Sequence, residues 1–208
     1  RMWLLNRAGN IPFVISCQGQ EATQVGAAFA LDNTKDYIAP YYRDMGVVLH
    51  FGMTARDLML SAFAKAEDPN SGGRQMPGHF GQKKNRILTG SSPVTTQLPH
   101  AVGVALAGKI KQKDFITFVT LGEGSSNQGD FHEGLNFAGV HKLPCITMVE
   151  NNKYAISVPY DRQVAAKNVS DRAIGYGMPG FTVDGTDPLE VYKVVKEAAD
   201  RARNGEGP

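Results

Sequence analysis

The sequence predicts an α/β fold with a parallel sheet flanked by helices. Short runs of β-branched and apolar residues alternate with longer segments of helical periodicity, which is typical of this fold class. Two of the runs, residues 115–121 and 145–149, are almost wholly apolar, as expected of strands that are covered on both faces. The length of 208 residues suits one domain with a sizeable core. We therefore expect a single domain over residues 1–208.

The first predicted helices lie before these strands. Residues 18–31 have helical character, and a second helix begins at Thr54, because Asp57 stands three residues later and the two can form a capping box. Residues 67–85 are rich in Gly, Pro, Gln and Lys and have no periodicity. At this length the segment is either a linker or a functional loop.

Two further helices complete the pattern. Phe131, Leu135 and Ala138 recur at helical spacing between the two strands, so the order strand, helix, strand predicts a right-handed crossover. The last helix begins after Asp187, which can cap it, with Pro188 at its first position. Its apolar stripe consists of Val191, Val194, Val195, Ala198, Ala199 and Ala202.

The composition excludes several classes of protein. Lys and Arg number 22 against 20 Asp and Glu, so neither nucleic acid nor an anionic membrane is expected as the main partner. No apolar run approaches the ~20 residues of a membrane span. Cys17 and Cys145 lie far apart without a CxxC pattern, which argues against a disulfide framework or zinc site and fits a reducing compartment. We expect both cysteines, with Phe137 and Met148, in the core.

A polar turn follows the first strand. Gly122-Glu123-Gly124-Ser125 precedes a helix, so the backbone can approach a ligand and helical N–H groups can face an anion. Alone, this pattern fits an ordinary tight turn equally well. NAD is disfavoured because Asn127 stands where the third glycine of the dinucleotide motif belongs, and no Gly-Lys-Ser/Thr loop is present.

The second strand ends in Glu150-Asn151-Asn152, which adds a second half to this pattern. Neighbouring parallel strands end at the same edge of a sheet, so Glu123 and Asn152 are expected side by side. A carboxylate, an amide oxygen and a nearby carbonyl are the hard ligands that Mg²⁺ prefers. The pair therefore predicts a magnesium and diphosphate site.

Gly122-Glu123-Gly124 followed by Asn151-Asn152 resembles the thiamine-diphosphate-binding motif, in which Gly-Asp-Gly leads through a helix and a strand to Asn-Asn. Here Glu replaces Asp and keeps the carboxylate. Further stretches agree with the same family: Gly19-Gln20-Glu21-Ala22, Tyr41-Tyr42-Arg43-Asp44, Gly73-Arg74-Gln75-Met76-Pro77, Ser91-Ser92-Pro93 with Thr96-Gln97, and Asn152-Lys153-Tyr154-Ala155-Ile156-Ser157. Together they resemble the α chains of 2-oxo acid dehydrogenase decarboxylases, most closely the bacterial branched-chain type.

The resemblance implies a thiamine-diphosphate-binding fold that holds the diphosphate half of the cofactor. By family, Mg²⁺ is held by Glu123, Asn152 and the backbone carbonyl of Tyr154. The implied cofactor contacts are Tyr42, Arg43, Ser92, Gly122, Gly124 and Ser125, with Val94 supporting the bent cofactor. In some relatives a K⁺ ion binds at the positions of Ser91, Pro93, Thr96 and Gln97. Animal relatives have Arg at the position of Glu150, where a carboxylate would repel the diphosphate unless it is turned away.

The same resemblance implies a partner and a reaction. In the family, a β chain supplies the pyrimidine half of the site, and the two chains form an α2β2 heterotetramer. This assembly decarboxylates a branched-chain 2-oxo acid and passes the acyl group to the lipoyl arm of an acyltransferase. The implied setting is a cytoplasmic multienzyme complex. No residue of this chain is an obvious proton-transfer catalyst. His79 is expected either to line the active site or to be an ordinary polar residue of a loop. His132 and Glu133 are expected on a solvent-exposed face of a helix.

Three alternatives remain at the level of sequence. The chain could belong to a pyruvate or an acetoin dehydrogenase, although Gly73-Arg74-Gln75-Met76-Pro77 favours the branched-chain type. It could also be a non-catalytic module that binds Mg²⁺ and a diphosphate. In the family reading, the 208 residues are the core of a longer α subunit that extends past both ends, and this part alone is expected to be inactive.

Overall fold

The computed structural model describes residues 1–208 and contains a three-stranded parallel sheet in the order β1-β2-β3. The strands are β1 (Tyr37–Ala39), β2 (Thr117–Gly122) and β3 (Cys145–Glu150). Thr117 pairs with Tyr37 on one side and Cys145 on the other, and the β2–β3 pairing continues to the last residue of each strand. The predicted parallel sheet is confirmed.

Seven α-helices surround this sheet: α1 (Met2–Arg7), α2 (Glu21–Phe29), α3 (Met45–His50), α4 (Ala55–Ala62), α5 (Gln97–Ile110), α6 (Gly129–Val140) and α7 (Pro188–Arg203). They form two separate hydrophobic clusters. Ile38, Phe118 and Ile146 form one row across the sheet and pack against α2, α3 and α7. Val119 and Cys145 belong to the second cluster, with α5 and α6. Helices therefore cover both faces, which explains why every residue of β2 except Gly122 is buried.

The predicted helix caps are confirmed. Thr54 and Asp57 form a capping box at the start of α4. The Asp187 carboxylate accepts hydrogen bonds from the backbone N–H groups of Leu189 and Glu190, with Pro188 at the first position of α7. Each cap satisfies N–H groups that the helix itself leaves without partners.

The helix expected over residues 18–31 is shorter in the structure. It begins at Glu21 and ends at Phe29. Gly19 has a φ of 90° and donates its N–H to the Glu21 carboxylate at 2.7 Å, so the preceding residues form a turn. Glycine adopts this positive φ readily, but a residue inside a right-handed α-helix has a negative φ, so the helix cannot include Gly19.

Two expected core positions are wrong. Phe137 is 42% exposed and packs against the His141 ring, because two residues beyond Leu135 the helix has turned its side chain away from the sheet. Cys17 is half-buried rather than in the core, whereas Cys145 is buried and Met148 packs against the first cluster. Burial raises the pKa of the Cys145 thiol to about 11, which keeps it protonated at neutral pH.

The aperiodic segment over residues 67–85 contains only a short 3-10 turn, Lys83–Asn85, and is otherwise irregular. After β3 the chain forms a small antiparallel hairpin of β4 (Tyr154–Ala155) and β5 (Val158–Pro159). Two 3-10 segments follow, Tyr160–Arg162 and Val169–Tyr176. None of the helices has both the length and the apolar character needed to cross a membrane.

Helix α2 crosses the start of α7 at Gly26, and a mutation tests this contact. A Cβ at Gly26 would lie 2.5 Å from the backbone oxygen of Pro188. Gly26→Ala should therefore destabilise the chain by about 1–3 kcal/mol, despite the helix propensity of alanine. Gly103→Ala in α5 is the control, because nothing lies within 4 Å of its Cβ, and it should raise the free energy of unfolding by about 1 kcal/mol. Urea unfolding measures both, and a stabilised Gly26→Ala would contradict the close crossing.

Candidate functional site

The turn after β2 lies at the centre of the candidate site. Residues Glu123–Asn127 form a 3-10 segment between β2 and α6. Glu123 is 1% exposed, although it is a carboxylate at the edge of a sheet. Its backbone oxygen accepts the Ser126 hydroxyl at 2.6 Å, which holds the turn in shape.

Gly124 allows the hairpin β4–β5 to lie directly on this turn. A Cβ at Gly124 would be 2.7 Å from Ala155 Cβ and 3.4 Å from Gln163 Oε1. No larger residue fits without moving the hairpin or the turn. The structure therefore brings the Glu123 turn against Tyr154–Ala155, the segment that also contains a predicted metal-ligating carbonyl.

The two asparagines after β3 shape the approach to this hairpin. Asn151 Oδ1 accepts the Lys153 N–H at 2.9 Å, and Asn152 Oδ1 accepts the Tyr154 N–H at 3.0 Å. Lys153 has a φ of 73°, so the chain reverses sharply here. Asn152 and Tyr154 are both exposed, whereas Glu123 is buried.

The donor set at this point consists of oxygen atoms. The chain has no cluster of three or more His, Cys, Asp and Glu side chains that could hold a metal. Glu123 would therefore bind a cation only together with amide and carbonyl oxygens such as those of Asn152 and Tyr154. Such a set suits Mg²⁺ rather than zinc or copper.

Arg43 follows β1, and part of its guanidinium group has no hydrogen-bond partner. Its guanidinium lies over the Tyr42 ring, 5.1 Å from the ring centroid, and its Nη1 donates to the Ser16 carbonyl at 3.2 Å. Its Nε is buried without a partner. Arg43 and Asn152 both line an open groove of about 1000 Å³ beside β3. A buried guanidinium nitrogen with no acceptor fits a site for an anionic ligand.

The segment that contains Ser92 and Val94 is held to the same turn by an unexpected residue. Thr95 is fully buried, has a φ of 79°, and its hydroxyl donates to the Ser125 carbonyl at 2.8 Å. A positive φ is strained for a β-branched residue. In the segment that Thr95 holds, Ser92 is exposed and Val94 is 41% exposed.

Gln97, the first residue of α5, ties the same segment to the sheet. Its Nε2 donates to the backbone oxygen of Thr120 at 3.0 Å, inside the protein. Since this bond uses the amide NH₂ group, the amide oxygen remains available as an acceptor.

His79 contacts Ser92, one of the predicted cofactor residues. Its Nδ1 lies 2.9 Å from the Met76 carbonyl and its Nε2 lies 2.7 Å from Ser92 Oγ. A carbonyl can only accept, so we assign the proton to Nδ1, and Nε2 then accepts the Ser92 hydroxyl. His132 plays no comparable part, since its Nδ1 contacts the Tyr176 hydroxyl at 2.5 Å on the outside of α6.

Glu150 borders the groove, but its side chain is buried in the protein. It is 3% exposed, and its Oε2 accepts the Gln24 amide at 3.3 Å. Its carboxyl group contacts that of Asp44, which also accepts the Tyr41 N–H at 2.8 Å and the Thr120 hydroxyl. The carboxyl group of Glu150 is thus directed at Asp44 and Gln24, and its protonation decides whether it places a negative charge beside the groove.

Burial governs the protonation of this acid pair. Desolvation raises the pKa of Asp44 and raises that of Glu150 well above its usual range, with the Asp44 charge adding to the shift of Glu150. Asp44 Oδ1 and Glu150 Oε1 receive no hydrogen bond from any N–H or O–H group. A proton held by Glu150 and donated to Asp44 accounts for both oxygens.

Sequence reasoning missed four residues that shape this site. Gln24 links the Arg43 carbonyl, the Gly46 N–H and Glu150, while Thr95 holds the Ser92 segment. Gln163 and Arg172 contact the turn after β2 from the far side. No local pattern marks any of them, because these partners lie between 19 and 126 positions away in the chain.

The chain was compared with families and curated proteins. It matches the family model described as "Dehydrogenase E1 component" over residues 1–208. It is 80% identical over 208 residues to the 2-oxoisovalerate dehydrogenase subunit alpha of Bacillus subtilis (strain 168), covering 100% of this chain and 63% of that protein. It is 40% identical over 204 residues to the pyruvate dehydrogenase E1 component subunit alpha of Staphylococcus aureus (strain N315), covering 98% and 52%.

A third relative is the 3-methyl-2-oxobutanoate dehydrogenase subunit alpha of Mycobacterium tuberculosis (strain ATCC 25618 / H37Rv), 41% identical over 216 residues, with 98% of this chain and 53% of that protein covered. The chain thus spans between 52% and 63% of these relatives. Among solved structures, a thiamin diphosphate-dependent enzyme from Mycobacterium smegmatis matches with a TM-score of 0.56 and 21% identity, over 86% of this chain and 29% of that one. This likeness shows the fold.

The buried acid pair predicts how stability depends on pH. The unfolded chain releases the Glu150 proton above the ordinary carboxyl pKa of about 4.3, whereas the native chain retains it, so stability falls as pH rises above that value. Glu150→Gln removes this term. In metal-free buffer it should match the parent near pH 4 and exceed it by a few kcal/mol near pH 7.5, because each pH unit above the unfolded-state pKa adds about 1.4 kcal/mol.

Urea unfolding across this pH range measures the effect. Glu133→Gln is the control, because Glu133 is an exposed carboxylate on α6, and its curve should run parallel to that of the parent. A Glu150→Gln curve parallel to the parent would mean that Glu150 is ionised in the native state.

Proposed function

The chain belongs to the dehydrogenase E1 component family, and from this premise we propose that it is the diphosphate-binding domain of the α subunit of a branched-chain 2-oxo acid decarboxylase. The proposed cofactor is thiamine diphosphate with Mg²⁺. The observation that carries the proposal is the contact between the turn that contains the buried Glu123 and the hairpin that follows Asn151-Asn152. Gly124 makes this contact possible because it has no side chain. The turn and the Asn151-Asn152 segment are the two halves of the motif, brought together by the fold.

The proposed metal ligands are Glu123, Asn152 and the backbone carbonyl of Tyr154. The donor set supports this assignment, because all three are hard oxygen ligands and leave positions for phosphate oxygens and water. The close contact between Gly124 and Ala155 supports it too, since that contact keeps the Glu123 turn beside the start of the hairpin. The metal would then neutralise part of the diphosphate charge at the base of the site.

The proposed diphosphate contacts surround this metal site. Arg43 contributes a guanidinium with a buried nitrogen that lacks an acceptor, which supports a phosphate partner. Tyr42 packs against that guanidinium. The remaining proposed contacts are Ser92, Gly122, Gly124 and Ser125, and Val94 would support the cofactor through its exposed apolar side chain.

A potassium ion is a further proposal. It would bind at Ser91, Pro93, Thr96 and Gln97, the segment held between Thr95 and α5. The free amide oxygen of Gln97 supports it, because the amide NH₂ group already donates to Thr120. The ion would stabilise a segment that Thr95 holds in a strained conformation.

Thiamine diphosphate, when bound, supplies the electron sink that decarboxylation of a 2-oxo acid requires. The residues of this chain bind and orient it. The Glu123 turn, Asn152 and Arg43 fix the charged end, and the segment from Ser92 to Val94 bounds it on one side. No residue here is assigned a proton transfer to substrate, so we propose that a β chain completes the site in an α2β2 assembly.

The substrate class follows from the relatives. The relatives at 80% and 41% identity are a 2-oxoisovalerate and a 3-methyl-2-oxobutanoate dehydrogenase subunit, and the one at 40% is a pyruvate dehydrogenase subunit. The higher identity favours branched-chain 2-oxo acids. We propose a lipoyl-bearing acyltransferase as the acceptor of the acyl group, with the assembly in the cytoplasm.

Replacement of Glu123 tests the metal site. Glu123→Ala in the full-length α chain, assembled with its β chain, should weaken thiamine diphosphate binding at limiting Mg²⁺ by at least about tenfold, because the chain's one charged ligand is lost. Titration calorimetry at several Mg²⁺ concentrations measures this. Glu133→Ala, on the exposed face of α6, should bind like the parent. A Glu123→Ala assembly with normal Mg²⁺ dependence would disprove the assignment.

The substrate class is tested by a competition. The same parent assembly, given equal concentrations of 3-methyl-2-oxobutanoate and pyruvate, should decarboxylate the branched acid with at least about tenfold higher kcat/KM, since each extra buried methyl group adds about 1–3 kcal/mol of discrimination. Release of CO₂ from singly labelled substrates measures the ratio. A preference for pyruvate would assign the chain to the pyruvate type.

A further inference from the structure

We propose that Gln163 is a positioning residue for Glu123 and sets the metal affinity of the site, an inference that rests on the proposed function. Gln163 Nε2 donates to Glu123 Oε1 at 3.4 Å. It is the one side chain that donates a hydrogen bond to this buried carboxylate. No local sequence signal marks Gln163, which lies 40 positions beyond Glu123.

The orientation of the Gln163 amide is determined by its partners. Nε2 donates both to Glu123 Oε1 and to the Val158 carbonyl at 3.3 Å, and neither group can donate in return. The NH₂ side of the amide must therefore face Glu123. One carboxylate oxygen is engaged by Gln163, and the second, Oε2, remains for a cation.

Gln163 is held in place by the same hairpin that bears the proposed Tyr154 ligand. Its N–H donates to the Tyr160 carbonyl at 3.1 Å, and the Tyr160 N–H donates to the Lys153 carbonyl at 2.9 Å. The next residue, Val164, is buried and anchors the turn. Gln163 thus connects the Glu123 carboxylate to the segment after β3 that contains the other two proposed ligands, Asn152 and Tyr154.

The backbone of the Glu123 turn does not depend on Gln163. Arg172 donates from Nη1 to the Ser126 carbonyl at 2.5 Å and from Nη2 to Asn127 Oδ1 at 2.8 Å. Ser126 in turn donates its hydroxyl to the Glu123 carbonyl. Loss of the Gln163 amide should therefore free the Glu123 side chain while leaving the turn in place.

Hydrogen-bond partners of metal ligands contribute about 10–100-fold to metal affinity, because they hold the ligand in the orientation that the metal needs. The bond to Glu123 is long, so we expect the lower end of this range. Gln163→Leu, which keeps the size but removes the amide, should weaken metal binding about tenfold.

The experiment uses the full-length α chain assembled with its β chain and saturated with thiamine diphosphate. Mn²⁺ replaces Mg²⁺, and the electron paramagnetic resonance signal of free Mn²⁺ gives its Kd directly, without reference to activity. Gln163→Leu and Gln163→Asn, whose amide is one methylene too short, should both bind Mn²⁺ about tenfold more weakly, with the melting temperature of the metal-free assembly unchanged. Gln128→Leu is the control, since Gln128 is exposed and makes no side-chain cap.

A double variant separates positioning from a general structural role. In a Glu123→Asp background the carboxylate is one methylene further from Gln163, so Gln163→Leu should change the Kd for Mn²⁺ by less than about twofold. A tenfold loss that persists in this background, or a normal Kd for both single Gln163 variants, would overturn the inference while leaving the metal site intact. Unchanged Mn²⁺ binding by Glu123→Ala would instead overturn the proposed metal site itself.

Discussion

The parallel pairing of β2 with β3 is the constraint on which the rest of the structure depends. The register pairs Gly122 with Glu150, so both strands end at the same level. The turn that contains Glu123 and the Asn151-Asn152 segment must then emerge side by side. Two helical layers support this pairing, because residues of β2 alternate between the two hydrophobic clusters. A slip of one residue would turn every side chain of the strand to the opposite face.

The chain after β3 completes what the sheet begins. It reverses at Lys153, returns over Gly124, and then contacts the turn again through Gln163 and Arg172. One segment of the chain therefore supplies proposed metal ligands and also the groups that orient them. The buried Glu123 carboxylate is thereby held between its own turn and the residues that follow the hairpin. The hydrogen bond to Glu123, the turn that contains it and the hairpin all depend on the same stretch of chain after β3.

Glu150 shows how an acidic residue can be accommodated close to the proposed anion site. A charged carboxylate at the end of β3 is unfavourable for a diphosphate in the adjoining groove, but the Glu150 side chain is buried and its carboxyl group contacts that of Asp44. Burial then favours the protonated form, so the group presents no charge to the groove. The cost of this arrangement is stability that declines with rising pH. Gln24 accommodates the pair by donating to Glu150 and to the Arg43 carbonyl from one amide.

The sequence by itself determined the fold class, both central strands, the capped helices and the two halves of the Gly122–Asn152 motif, because periodicity, caps and turn glycines are local properties of the chain. It placed Phe137 and Cys17 wrongly, since a helical residue near the core pattern can still face outward. The tertiary structure alone decided that Glu150 turns inward and that Thr95, Gln163 and Arg172 contact the turn. These contacts join residues at least 30 positions apart. They depend on which side chains the packed helices and strands bring into reach, and no local pattern encodes that.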